Sequence, residues 1–206
     1  MRTVTIEHQV YGIEDLSDNP EVRQAVLTVN YDWEVQKHGW RNPTYDAFKT
    51  SLKGTCFICD KISFSGFSSQ GDGAMFEGSF LLDYTTELSV IELYVPDKRI
   101  ARLIKAERIS ISCDFRQYGN HSHHKSYTNT FVVETYGNHR CDDNICNYLD
   151  SGTLESKIKD DYETLCKDLY RDLESEYEYL TSDKYLLDMF KENEYEFYAD
   201  GSIYDQ

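Results

Sequence analysis

In the last third of the chain, apolar residues recur every three or four positions over a long stretch. The series runs through Leu154, Ile158, Tyr162, Leu165, Leu169, Leu173, Tyr177 and Leu180. This spacing places all of them on one face of a single helix, which would be roughly 40 Å long at 1.5 Å per residue. We expect this long helix to pack against a sheet formed by the middle of the chain.

The middle of the chain alternates between apolar and polar residues, a pattern typical of β-strands. Residues 55–64 and 75–80 form two such segments, and between them lies a polar stretch that contains Gly71 and Gly73. Glycine adopts positive φ at little steric cost, so this stretch predicts a tight reversal between two antiparallel strands.

The remaining segments predict further strands and helices around this first hairpin. In chain order they are a strand at 2–10, a helix capped by Ser17 or Asp18 that continues to about Trp33, a helix from Asn42 to near Gly54, two short helices within 88–105, a second hairpin of strands 108–115 and 127–136 with 119–124 at its tip, a short helix after Asp183 and a weak strand near 195–199. The predicted fold class is α+β: an antiparallel sheet built from two hairpins, packed with N-terminal helices and a long acidic C-terminal helix. The length fits one domain, 1–206, in which 150–193 is a helical acidic segment.

Charge is the strongest global signal for function. Asp and Glu total 37 against 21 Lys and Arg, giving a net charge of −16, and there are 17 tyrosines. A field of this sign repels nucleic acid and anionic lipid and attracts basic surfaces, so we expect a protein partner and no direct nucleic-acid or membrane binding. No stretch approaches ~18 apolar residues and the N-terminus lacks a signal sequence, which predicts a cytoplasmic protein with reduced cysteines.

A family resemblance rests on residues 64–78, FSGFSSQGDGAMFEG. They resemble the signature FSGFxSQGDGAxFxG of a family of phage-encoded, antitoxin-like proteins. Residues 13–17 (IEDLS) resemble that family's N-terminal helix start, and residues 176–183 and 193–197 resemble its C-terminal end. In size and acidity the chain is also similar to the anti-DarT factors of T4-like phages, which block a host toxin that ADP-ribosylates DNA. The resemblance implies a counter-defence protein in the host cytoplasm, but it brings no assigned site residues.

The candidate partner-binding residues lie on the long acidic helix. They are Asp160, Asp161, Glu163, Asp168, Asp172, Glu174, Glu176, Glu178 and Tyr177. DNA carries one phosphate per ~3.4 Å along each strand, whereas carboxylates at i and i+4 are about 6 Å apart along a helix. DNA mimicry would therefore need several rows of carboxylates or adjoining loops. We expect this surface to occlude the nucleic-acid cleft of a host toxin or DNA-acting enzyme, with a DNA ADP-ribosyltransferase as the best candidate. The alternative is a solvated face that keeps the protein soluble.

A second candidate site is the loop that contains Ser68, Ser69, Gln70 and Asp72. Its backbone N–H groups could cradle a phosphate, and together with the His121–His124 tip it could form a pocket for a signalling nucleotide. However, no lysine or helix start of a P-loop follows it. A ligand-binding protein is therefore the alternative function.

An enzyme that reverses the toxin's modification is a further alternative. The surroundings of Ser68 do not form a nucleophile elbow, and no base lies next to it in the sequence. We therefore expect no catalytic residues and no enzymatic activity.

Cysteines and histidines offer only weak metal signals. Cys56-x-x-Cys59 is similar to half of a zinc site, and Cys141 and Cys146 with His139 could supply the other half. The second spacing is wrong for a zinc knuckle, and a strand would place Cys56 and Cys59 on opposite faces. We expect cysteines packed as small apolar groups, with no metal and no cofactor.

Overall fold

The structure, a computed structural model, describes residues 7–37, 39–119, 122–136, 147–149 and 152–204. Its chain divides into two compact units, which we name the central unit (Asn42–Leu173) and the terminal unit (Met1–Arg41 together with Glu174–Gln206). Helices and antiparallel strands are both present, which confirms the predicted α+β class. The expectation of a single domain stays a prediction, because compactness alone does not tell whether a unit folds independently.

The elements follow the predicted order closely. They are β1 (Val10–Gly12), a 3₁₀ helix (Ile13–Ser17), α1 (Pro20–Val29), α2 (Trp33–Gln36), α3 (Asn42–Ser51), β2 (Phe57–Phe64), β3 (Ala74–Leu82), α4 (Leu88–Tyr94), α5 (Lys98–Lys105), β4 (Ile109–Gln117), β5 (Tyr127–Thr135), α6 (Thr153–Leu180), α7 (Asp183–Glu192) and β6 (Glu196–Tyr198). None of the helices within the described ranges is both long enough and apolar enough to cross a membrane.

The central unit is built on a four-stranded antiparallel sheet in the order β2-β3-β4-β5. Both predicted hairpins are confirmed as β2–β3 and β4–β5. Along β4, Ile109, Ile111, Cys113 and Phe115 are buried, whereas the residues between them are more exposed. Successive side chains of a strand point to opposite faces, so one face of the sheet belongs to the core and the other faces solvent.

Helix α6 packs against the buried face through Tyr162, which is fully buried. The Tyr162 ring stacks on Phe115 with their centroids 3.9 Å apart, and its hydroxyl donates to the Phe76 carbonyl oxygen at 2.6 Å. The ring of Phe48, from α3, lies 5.4 Å from that of Phe76. The predicted apolar stripe is confirmed except that Leu165 and Tyr177 are only half-buried, and Cys166 is buried in addition.

Two glycines of the 64–78 segment are required by close backbone contacts. A Cβ on Gly78 would lie 1.9 Å from the Ile58 carbonyl oxygen, at a register irregularity of β2. A Cβ on Gly73 would lie 2.8 Å from Cα of His123, at the tip of the second hairpin. The segment therefore has a structural role: Gly78 lets β2 and β3 pair closely at this irregularity, and Gly73 lets the tip of the second hairpin approach the first.

The terminal unit has its own core of seven buried side chains. They are Leu16, Val22, Val26, Leu27, Leu186, Phe190 and Phe197. Strands β1 and β6 pair antiparallel beside this core. The described first strand begins only at Val10, and residues 2–6 of the predicted strand lie outside the described residues.

The prediction that α1 continues to about Trp33 is wrong, because the helix ends at Val29. The side-chain amide of the buried Asn30 donates to the carbonyl oxygens of Val26 and Gly201, both at 2.8 Å. Asn30 thereby closes α1 and ties its end to the C-terminal segment. A short separate helix, α2, contains Trp33.

Candidate functional site

Negative charge is unevenly divided between the two units. The terminal unit has 17 Asp and Glu against 6 Lys and Arg, a net charge of −11, whereas the central unit has 20 against 15, a net charge of −5. The terminal unit is the smaller of the two and carries most of the acidity. The terminal unit is therefore the main source of the chain's negative electrostatic field.

In the central unit, two of the predicted partner-binding carboxylates of α6 have cationic neighbours. Lys167 lies 4.0 Å from Glu163, and Arg171 lies 3.1 Å from Asp168. Glu163 also accepts a hydrogen bond from the Tyr127 hydroxyl at 3.2 Å. These contacts offset part of the charge that the sequence assigns to this segment.

Asp160, Asp161 and Asp172 form no ion pair with any residue that the structure describes. Asp160 and Asp172 are exposed, whereas Asp161 is half-buried. Burial raises the pKa of Tyr94, and the neighbouring Asp161 carboxylate raises it further. Asp160 and Asp172 are thus the predicted carboxylates in this part of α6 that are both exposed and without an ion pair to a described residue.

The last turns of α6, within the terminal unit, are purely acidic. Glu174 and Glu178 are exposed and Glu176 is half-buried, and residues 174–180 contain no Lys or Arg. Among the described residues none of these three carboxylates has an ion-pair partner. Here the predicted acidic helix surface is realised without local neutralisation.

Tyr177 connects these carboxylates with the N-terminal segment of the same unit. Its ring centroid lies 6.0 Å from that of Trp40. Burial raises the pKa of Tyr177, and the nearby Tyr31 hydroxyl and Asp32 carboxylate raise it further. Tyr31 itself is 53% exposed, so an aromatic side chain lies beside a carboxylate at the surface.

Tyr185 of α7 lies among further carboxylates. Its ring is 4.9 Å from that of Tyr179, which is 59% exposed. Burial raises the pKa of Tyr185, and the negative charges of Glu34, Glu176 and Glu192 raise it further. Of these carboxylates, Glu34 has a cationic partner, since Lys37 lies 2.6 Å away.

These side chains come from α2 and its N-terminal flank, from α6 and from α7. We call them the acidic tyrosine surface, which comprises Tyr31, Asp32, Glu34, Glu174, Glu176, Tyr177, Glu178, Tyr179, Tyr185 and Glu192. Sequence reasoning placed the candidate site on α6, with its carboxylates and Tyr177. It missed Asp32, Glu34 and Glu192, because no sequence spacing indicates that α2 and α7 contribute to the same surface.

The loop at 68–72 satisfies its own backbone donors. The N–H groups of Ser68 and Ser69 both donate to Oδ2 of Asp72, at 2.9 Å and 2.6 Å. A phosphate would need the same N–H groups, so it would have to displace this internal carboxylate. The geometry does not favour an anion site at Ser68, Ser69, Gln70 and Asp72.

The tip of the second hairpin does meet this loop, as the alternative function requires. Gly73 lies against the backbone of Ser122 and His123. The rings of His123 and His124 are 4.0 Å apart. Burial lowers the pKa of His124 to about 4, and nearby His123 and Lys167 contribute, so this imidazole is neutral at pH 7. His121 lies outside the described residues.

The cysteines of the described region form no disulfide and are mostly buried. Burial raises the pKa of the Cys56 thiol to about 11, and burial likewise raises that of Cys59 to about 11. Both remain protonated at neutral pH, so they are weak nucleophiles and weak metal ligands as they stand. Cys141, Cys146 and His139 of the hypothetical zinc site lie outside the described residues. Within the described part of the chain, no three His, Cys, Asp or Glu side chains are grouped closely enough to hold a metal ion.

Comparison with known proteins places the chain in a family. No curated protein and no solved structure matches it. A family described as a domain of unknown function (DUF8835) matches residues 40–183, a range that contains the whole central unit and the last turns of α6. The match covers well over half of the sequence, and the chain therefore belongs to the DUF8835 family.

Proposed function

We propose that the protein acts by binding, without turnover, to the basic nucleic-acid-binding cleft of another protein, and that the acidic tyrosine surface makes this contact. The observation that carries the proposal is the group of unpaired carboxylates in the last turns of α6, next to the exposed rings of Tyr31 and Tyr179. The contact blocks the cleft sterically and electrostatically.

The acidic tyrosine surface combines carboxylates from several segments, which a single row along one helix cannot do. Asp32 and Glu34 come from one segment, Glu176 from a second and Glu192 from a third. Carboxylates from several segments form a two-dimensional pattern. Such a pattern matches a groove for a phosphate backbone better than a single row of carboxylates about 6 Å apart does. Complementary charge speeds association and selects basic partners.

The tyrosines give this surface a second kind of contact. Tyrosine is enriched at protein interfaces because its ring buries a large apolar area while its hydroxyl can still form a hydrogen bond. Tyr31 and Tyr179 are more than half exposed, although each has a large ring. In a bound complex we expect these rings to be covered and to contribute strongly to affinity.

The most specific form of the proposal is a phage counter-defence protein that inhibits a host toxin, with a DNA ADP-ribosyltransferase as the best candidate target. It is supported by the resemblance of residues 64–78 to the signature of phage-encoded antitoxin-like proteins. Such an inhibitor works at one molecule per target and acts in the host cytoplasm.

A competition experiment tests the proposal. A DNA ADP-ribosyltransferase toxin is bound to a fluorescent oligonucleotide, and displacement by this protein is followed by polarisation alongside DNA modification. We expect complete displacement of the oligonucleotide when this protein and the toxin are about equimolar. The affinity of this protein for the toxin should fall steeply between about 50 mM and about 200 mM salt. The variant Glu174→Lys/Glu176→Lys/Glu178→Lys should weaken displacement by more than a hundredfold.

The matched control is Asp18→Lys/Glu21→Lys/Glu194→Lys. These three exposed carboxylates belong to the same unit, and their reversal changes the net charge equally. Equal loss in both variants would show a general charge effect instead of a site. Inhibition at substoichiometric protein would overturn occlusion in favour of an enzyme that reverses the modification.

The choice of toxin is tested separately from the surface. Proteins captured from infected host cells by the wild type, but not by the α6 triple variant, are probed with the labelled oligonucleotide. The proposal requires that they bind it, and captured proteins without nucleic-acid binding would contradict it.

A further inference from the structure

A cleft in the central unit is not used by the proposed function. It has a volume of about 440 Å³ and lies where β3 ends, β4 begins and β5 ends. The lining residues that matter here are Leu81, Asp83, Tyr84, Glu107, Glu134 and Tyr136. Its volume falls within the range of small-molecule sites, roughly 300–1,000 Å³.

The walls of the cleft combine aromatic and apolar surface. Tyr84 is 50% exposed and Tyr136 is 47% exposed, and Leu81 is also exposed. Contact between this apolar surface and water is unfavourable, so a ligand that covers it gains free energy of binding. Tyrosine faces also attract cations, because the ring quadrupole is negative above and below its plane.

Three carboxylates line the same cleft, and none of them forms an ion pair with another described residue. Glu134 accepts hydrogen bonds from the Tyr136 hydroxyl and, at 3.4 Å, from Ser110. Asp83 uses one oxygen, Oδ1, to accept from the backbone and side chain of Thr85. The hydrogen bonds fix these two carboxylates in place without neutralising their charge.

Glu107 occupies a position that normally favours glycine. Its φ is 58°, in the left-handed region, where it follows the C-terminal end of α5. Its N–H donates to the Ile104 carbonyl, and the next N–H, of Arg108, donates to Leu103. Glycine is the usual residue at such a helix end. Glu107 thus ends α5 in the left-handed conformation and adds a third carboxylate to the lining of the cleft.

Lys105, the last residue of α5, is bound to backbone carbonyls next to the cleft and does not belong to its lining. Nζ of Lys105 donates to the carbonyl oxygens of Tyr84, at 2.6 Å, and Thr86, at 3.0 Å. This ammonium group is thus held by the backbone, and the carboxylates face the cleft without it.

We infer that this cleft binds an organic cation, a guanidinium or alkylammonium group, between the tyrosine rings and the carboxylates. The rings offer cation–π contacts and Glu134 offers a fixed acceptor for a charge-assisted hydrogen bond. A planar guanidinium suits this set best, because it can stack on a ring and donate to a carboxylate at the same time. A nucleotide or another anion is repelled by the same three carboxylates.

The test uses the full chain and N-acetylarginine amide as the probe. Binding is followed by NMR on protein labelled at tyrosine rings, with the signals of Tyr84 and Tyr136 assigned through their phenylalanine variants. We expect both signals to move together and to saturate with a Kd on the order of 1 mM. Butylammonium tests the alkylammonium case, and an arginine within a glycine–serine peptide distinguishes a peptide side chain from a free small cation. Binding of any of these probes at the cleft supports the inference.

The decisive comparison is with a neutral probe and with two matched variants. N-acetylcitrulline amide has the same shape as the arginine probe but no charge, and it should bind at least tenfold more weakly. Glu134→Gln should weaken arginine binding about tenfold, whereas Asp114→Asn, on the same exposed sheet face but outside the cleft lining, should leave it unchanged. Glu134 is exposed, so its variant is expected to fold, which circular dichroism checks. The inference would be overturned if the citrulline probe bound as tightly as the arginine probe, or if both variants lost arginine binding equally. It would also be overturned if the tyrosine signals did not saturate with any of the cationic probes.

Discussion

The hydroxyl of Tyr162 gives the most direct test of how the central unit is held together. Tyr162→Phe removes one oxygen atom and leaves the ring in its stack on Phe115. The lost interaction is the hydrogen bond from this hydroxyl to the Phe76 carbonyl, which is 2.6 Å long and fully buried. The variant therefore isolates a single polar contact between α6 and the sheet.

The magnitude follows from the burial of that contact. A typical intramolecular hydrogen bond contributes about 0.5–1.5 kcal/mol, and a buried carbonyl that loses its donor adds to the cost. We expect Tyr162→Phe to lower the free energy of unfolding by about 1–2 kcal/mol. For a chain of this size that corresponds to a decrease in Tm of about 2–8 °C.

The pH dependence of this difference provides a second measurement. Burial raises the pKa of Tyr162 far above its usual value, so the folded chain keeps this proton where the unfolded chain loses it. The stabilising contribution is therefore complete below about pH 10 and decreases above it. The stability difference between wild type and Tyr162→Phe should shrink as the pH rises beyond that point.

The assay is urea unfolding followed by circular dichroism, with the midpoint and slope compared at pH 7 and pH 10.5. Tyr118→Phe is the control, because Tyr118 is 68% exposed, and it should change stability by no more than about 0.5 kcal/mol. If Tyr162→Phe were as stable as the control variant, the packing of α6 on the sheet through this hydroxyl would be refuted.

Three further predictions concern single residues of the central unit. Gly78→Ala should destabilise the chain by at least about 3 kcal/mol in urea unfolding, since its Cβ would lie 1.9 Å from the Ile58 carbonyl oxygen. The control is Gly119→Ala, which has open space at its Cβ and should cost only about 1 kcal/mol. Asp72→Ala should lower the free energy of unfolding by about 1 kcal/mol, because two exposed backbone N–H groups exchange their carboxylate acceptor for water. A phosphate titration of the wild type that shifted the NMR signals of these two amides would contradict this reading. The Arg99 side chain and backbone hold the pKa of Asp97 down to about 2. The difference in the free energy of unfolding between wild type and Asp97→Asn should therefore be constant above about pH 4 and vanish as the pH falls to about 2.

Much of the secondary structure could be predicted from the chain. The three- and four-residue steps from Leu154 to Leu180 predicted α6, and alternation around Gly71 and Gly73 predicted the first hairpin. Both signals are local, because the helical and strand periods depend only on neighbouring positions. The end of helix α1 is different, since there the Asn30 amide donates to Gly201, which is far away in the sequence.

The candidate site could be predicted only in part. The carboxylates of α6 and Tyr177 are visible as a pattern, whereas the neutralisation of Glu163 by Lys167 depends on side-chain geometry. The phosphate-binding hypothesis for the 68–72 loop overlooked that Asp72 would fold back onto the backbone of its own loop.

The sequence by itself determined the α+β class, the strand and helix order and the net charge of −16, because each depends on residue types and local spacing. Only the tertiary structure decided where that charge is effective. It brought Asp32 to Tyr177 of α6 and Glu34 to Tyr185 of α7. It also placed Glu107 at a cleft where β3 ends, β4 begins and β5 ends. Contacts between residues far apart in the chain are set by how whole elements bury their apolar faces, and no local pattern records that choice.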